Sequence, residues 1–223
     1  MRSNQNFPLV TSAVVGAAIV ASVVPALQRA LVFDRAAIGA GQSWRLLTGH
    51  CVHFSPDHLF YDTVALGAAG WTIERRRRGE LALLCGISAL AVGMAVYTLA
   101  PQVTRYGGLS GVACAAVAAL AVRGLRSSGT PRWVCAAALL ALIGKVTWEC
   151  LTGGALFVSA RPDVVVLPLA HGIGMAAGGV FAIVATGSSA VFSSRADRSM
   201  GTSTPLAGGY RRSDSPASCE VQT

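Results

Sequence analysis

Apolar runs of roughly the length that crosses a bilayer recur along this chain, and that recurrence limits its fold more than any other feature. Six can be drawn, at residues 8–27, 57–73, 81–100, 109–122, 133–151 and 164–186. Apolar residues make up 53% of the chain and charged residues 13%, about half the share with which a soluble domain clothes its surface. Backbone polar groups in lipid must be bonded internally, so runs of this kind become helices. The expectation is an all-α, polytopic membrane domain of six helices over 8–186. A short cytoplasmic leader at 1–7 precedes it, and a Ser/Gly/Pro/Arg-rich tail at 187–223, expected to be disordered and cytoplasmic, follows. The first run lacks a strong basic leader and a small-residue cleavage site before a soluble domain, so it is read as a retained span.

The net charge is +8, carried by seventeen arginines and one lysine. A basic chain can bind nucleic acid, but these arginines cluster between apolar runs, which is how cytoplasmic loops look under the positive-inside rule. About twelve lie at the N-terminus, at 75–78, at 123–132 and in the tail, whereas about five lie in the alternate loops. Both termini are therefore expected on the cytoplasmic side, with the lipid bilayer and not nucleic acid as the partner. The six cysteines make no CxxC pair, and they read as small helix residues. Gly174-x-x-x-Gly178 and the alanines of 113–121 carry the small-residue spacing that lets membrane helices approach closely.

Polar side chains inside lipid are costly, and each marks a candidate site. The set is His50, His53, His58, Asp62, Ser110, Lys145, Glu149 and His171. Ser110 stands among Gly107, Gly108 and Gly111 at the start of the fourth run. A serine in that setting usually caps or packs. Yet glycines also admit a peptide backbone, and a helix N-terminus offers free N–H groups to a developing oxyanion. His171 begins a sixth-run face smoothed by Gly174 and Gly178, which would let the fourth and sixth helices touch and bring an imidazole base to Ser110. His58 and Asp62 are four apart and share a helix face. His50-x-x-His53 is a partial metal pattern, but one carboxylate among three imidazoles completes no shell, so no metal and no cofactor is expected. Lys145 and Glu149, also four apart, read as a mutually neutralising pair or as a gate beside the fifth helix.

Four blocks in order carry a resemblance: Trp44-Arg-Leu-Leu-Thr-Gly-His50 with His53-Phe-Ser, His58-Leu-Phe-Tyr-Asp62, Gly108-Leu-Ser-Gly111, and Ala170-His-x-x-Gly174-x-x-x-Gly178. Over about residues 40–185 the chain resembles the rhomboid intramembrane serine proteases. The resemblance implies a Ser110–His171 dyad without a third carboxylate and an oxyanion contact from His58. It also implies a loop shaped over the site by His53, and a membrane-anchored protein as substrate. Within that family the chain is similar to the small bacterial rhombosortases, by its compact first loop, its Trp44–His50 block and Trp148-Glu149. That likeness implies the bacterial inner membrane and removal of C-terminal sorting tails of the Gly-Gly kind.

Asp62 departs from the family, which commonly has asparagine there. An ionised aspartate would repel an oxyanion, so Asp62 either stays protonated and donates or serves to orient His58, and the second is favoured. Two other readings compete. A catalytically inactive rhomboid-like protein that binds and routes membrane segments should lack the serine or the histidine. A small transporter should show two related halves, and no internal repeat is visible. Everything turns on one geometric requirement, that side chains far apart in sequence meet.

Overall fold

The computed structural model describes residues 7–76, 78–128, 131–154 and 167–200. The chain divides into two units, Met1–Thr186 and Gly187–Thr223. In the second, residues 187–200 are helical where the sequence suggests a disordered tail. No proline or glycine interrupts residues 188–200, which leaves a helix free to form. The rest of the tail, the leader apart from Phe7, Arg161 and the first residues of the sixth run fall outside the described residues.

The first unit is built of helices. Helix α1 (Leu9–Val23) gives way at once to α2 (Pro25–Leu31), and the two are bent by 109°. Pro25 explains the break, because its ring cannot continue a helix whose carbonyls it would meet. The chain then runs through β1 (Phe33–Asp34), α3 (Arg35–Gly39), α4 (Arg45–Thr48) and a single 3-10 turn at Gly49–Cys51. Long helices follow: α5 (Pro56–Glu74), α6 (Arg78–Leu99), α7 (Ser110–Arg126), α8 (Arg132–Thr152) and α9 (Pro168–Met200). Strand β2 (Arg105–Tyr106) lies just before α7 and pairs antiparallel with β1, Phe33 opposite Tyr106.

Among the described residues, three helices are long and apolar enough to cross a membrane: Gly79–Leu99, Arg132–Thr152 and Pro168–Ala185. They coincide with the third, fifth and sixth expected spans. The bent pair α1–α2 makes up to four if taken as one span. The second and fourth expected spans are helical too. However, α5 carries Asp57, Asp62 and Glu74, and α7, at 17 residues, is only ~26 Å long.

Helix α7 is the hub, packed against α5, α6 and α8. Its alanines and glycines are almost all buried, Ala115, Ala116 and Ala118 completely. Smallness is what admits so many neighbours. On α9, a Cβ added at Gly174 would collide with the Gly111 carbonyl, and one at Gly178 with the Ala115 carbonyl, so α9 lies backbone to backbone on α7. Gly178→Ala is accordingly expected to cost about 1–3 kcal/mol by forcing the helices apart. Thermal unfolding in detergent checks this, and an unchanged midpoint would contradict the close approach.

Two charged side chains tie the loops to this frame. Arg35 donates to the carbonyls of Val96, Tyr97, Ala100 and Val103 at 2.7–2.9 Å, filling the acceptors left open where α6 ends. Glu74, at the end of α5, accepts from the N–H groups of Val10 and Thr11 and from the Thr11 hydroxyl at 2.8–2.9 Å. It therefore caps α1, whose own N-cap, Pro8, has no side chain to do so.

Candidate active site

Ser110 is the first residue of α7, and no side chain of the preceding Leu109 caps that helix. The N–H groups of the first turn therefore point free of intrahelical partners, beside the Ser110 hydroxyl. The strand pair and the first loop hold the approach to this point. Leu109 N–H donates to His53 Nε2 at 3.2 Å, and the Gly108 carbonyl lies 3.3 Å from His50 Nδ1. His50 Nε2 reaches the Ala89 carbonyl at 2.9 Å, and burial holds this imidazole below its usual value. His50 and His53 thus fix the backbone immediately before the serine to α6 and to the loop.

Gly108 has φ +131°, a conformation side chains rarely adopt, and an added Cβ would lie 2.7 Å from His58 Cε1. Glycine is needed here for two independent reasons. Gly108→Ala is expected to displace His58 or the Ser110 turn and to cost about 1–3 kcal/mol of stability, the usual effect of an overpacked, strained position. Thermal unfolding of the two proteins side by side checks this, and an unchanged midpoint would refute the tight fit.

His171, the fourth residue of α9, is buried. Its Nε2 lies 2.8 Å from Ser110 Oγ across 61 positions of sequence. Its other ring nitrogen is also engaged. Glu149 Oε2, from α8, lies 2.5 Å from Nδ1, and Lys145 Nζ lies 3.1 Å from it while donating to Glu149 Oε1 at 2.6 Å. Glu149 is 2% exposed, so this carboxylate spends its hydrogen-bonding capacity on the imidazole and the ammonium rather than on water.

On the other side of the serine turn, Asp62 bridges two imidazoles, with Oδ2 at 3.0 Å from His53 Nε2 and 3.2 Å from His58 Nε2. His53 Nδ1 meets Ser22 Oγ of α1 at 3.3 Å. His58 Nδ1 is buried without a hydrogen-bond partner, an orphan polar atom next to the Gly108 turn. Among the described residues, the ligand atoms of His53, His58 and Asp62 lie within 4.8 Å of one another, a trio that could hold a metal ion. Toward the opposite end of α7 from the serine, a cavity of about 450 Å³ opens between α5, α7 and α8, lined by Ala65, Thr72, Arg76, Val117, Arg123 and Ala138.

The structure therefore gathers Ser110, His171, Gly111, Gly174 and Gly178 at the meeting of α7 and α9, and His53, His58, Asp62 and Gly108 beside it. Two contacts escaped the sequence reading. Lys145 and Glu149 do pair, but the carboxylate also reaches His171, which the i, i+4 spacing gives no hint of. Its signal was depth: an acidic residue buried in an apolar helix needs more than one lysine to satisfy it. Arg35 likewise passed for a loop charge.

A serine hydroxyl against an imidazole, at the N-terminus of a buried helix in an apolar bundle, defines a candidate nucleophile site within a membrane-type helical fold. Residues 40–188 match the Rhomboid domain family, and the chain belongs to that family, whose members are typically intramembrane serine proteases. No curated protein matches it.

Proposed function

We propose that this protein is an intramembrane serine endopeptidase acting on membrane-anchored protein substrates. The observation that carries the reading is the 2.8 Å contact between Ser110 Oγ and His171 Nε2. His171 accepts the hydroxyl proton as Ser110 attacks the scissile carbonyl. The Ser110 backbone N–H and the His58 side chain hold the oxyanion, and Asp62 orients His58 through Nε2. His171 then protonates the leaving amine, and water hydrolyses the acyl-enzyme. The substrate segment enters between helices and unwinds at the glycine turn.

In this reading α1, α5 and α7 join α6, α8 and α9 as six spans, with both termini cytoplasmic in a bacterial inner membrane. The arginine asymmetry supports that orientation. The substrate belongs to the class with C-terminal Gly-Gly sorting tails, a proposal supported by the Trp44–His50 block and Trp148-Glu149 in the manner of rhombosortases.

A fluorophosphonate probe tests the nucleophile directly. It is expected to label the wild-type protein and to spare Ser110→Ala; an unlabelled wild type, or equal labelling of the variant, sinks the reading. No step uses a metal, so dialysis against EDTA is expected to leave the labelling rate unchanged. A fall restored by zinc would instead assign the His53–His58–Asp62 trio to a metal.

A further inference from the structure

We propose that Glu149 is a positioning residue for His171, so that the site is a Ser110–His171–Glu149 triad and not a dyad. The inference rests on the protease reading and deepens it. Three contacts converge on one ring. Nε2 faces the Ser110 hydroxyl at 2.8 Å, Nδ1 faces Glu149 Oε2 at 2.5 Å, and Lys145 Nζ stands 3.1 Å from Nδ1.

The hydrogens can be assigned from these neighbours. An ionised carboxylate only accepts, so its short contact with Nδ1 puts a hydrogen on that nitrogen. Neutral imidazole then keeps its lone pair on Nε2, the atom that must take the serine proton. Lys145 gives its hydrogen to Glu149 Oε1 at 2.6 Å, the shorter of its two contacts, and its charge balances the buried carboxylate. Without Glu149 the ammonium would be the near neighbour of Nδ1, and as a donor it would drive the hydrogen to Nε2. That tautomer cannot accept from Ser110. Glu149 thus decides between two tautomers, and Lys145 makes its ionised form tolerable in an apolar bundle.

The proton accounting is simple. As the Ser110 Oγ–carbon bond forms, the hydroxyl proton passes to Nε2, and the imidazolium keeps Nδ1–H on Glu149. When the C–N bond breaks, the Nε2 proton leaves with the amine. Glu149 is never protonated; it orients the ring and stabilises the cation.

The test uses the full chain in detergent or nanodiscs, with Glu149→Gln and Glu149→Asp. The glutamine amide can donate to Nδ1, so Glu149→Gln is expected to lower kcat on the order of 10³–10⁴-fold with KM little changed, as tautomer loss does in serine triads. Glu149→Asp is expected to recover part of the rate. Nitrogen-15 histidine NMR supplies a readout free of any substrate: His171 is expected as Nδ1–H with bare Nε2 in the wild type and as Nε2–H in Glu149→Gln. A Glu149→Gln enzyme with near-normal kcat, a loss confined to KM, or a wild-type His171 carrying its hydrogen on Nε2 overturns the proposal. If Ser110→Ala were as active as wild type, the protease reading would fail on its own, and the NMR result would still decide the Glu149 assignment.

Discussion

Ser110→Ala, purified and reconstituted with a transmembrane substrate, is expected to lose cleavage by on the order of 10⁴–10⁶-fold, the range over which a nucleophile and its base act as a unit. The loss should be in kcat, because the alanine removes the atom that forms the acyl bond and leaves the glycine turn in place. His171→Ala is expected to cost nearly as much, and Ser110→Ala/His171→Ala no more than either alone. That non-additivity is the mark of side chains working in one step. The measurement also separates the protein from an inactive family member that only binds membrane segments: such a protein would show no turnover to lose, and both variants would still capture the substrate. Retained cleavage in Ser110→Ala would remove the nucleophile from the mechanism.

Asp62→Ala is expected to reduce turnover by about 10²–10³-fold, the cost of losing one oxyanion donor. One carboxyl oxygen lies 3.2 Å from His58 Nε2 and 3.0 Å from His53 Nε2, the same nitrogen that lies 3.2 Å from Leu109 N, one residue before the serine. Removing the carboxyl frees the His58 ring to leave the Gly108 turn and loosens the imidazole that pins the loop. Asp62→Asn, which restores the family's common residue, is expected to fall between wild type and alanine. Acylation rates with the fluorophosphonate probe report the oxyanion site without a natural substrate. An Asp62→Ala protein that turns over normally would show that His58 needs no such anchor.

The bundle was legible in the sequence to different depths. The third, fifth and sixth runs declare themselves because apolar length alone suffices. For α5 and α7 apolarity is diluted, in the one by acidic residues that have partners elsewhere, in the other by shortness. Both are expected as helices from sequence, but what makes them fit the bundle shows only in their neighbours: α7 is surrounded, and Glu74 of α5 is spent capping α1. The bend after α1 is set by Pro25, although the apolar run continues through it.

Residue chemistry and local spacing determined which side chains could act: a serine at a glycine-flanked helix start, a histidine on a smooth helix face, a carboxyl one turn from an imidazole. Those are properties of a few consecutive residues. Tertiary structure alone decided that Glu149 reaches His171 as well as Lys145, that Asp62 joins His53 to His58, and that Arg35 closes the end of α6. Each depends on the crossing of helices distant in sequence. The physical reason is that a buried charge takes whichever partners the packing brings within about 3 Å, because in an apolar interior none can be left to water.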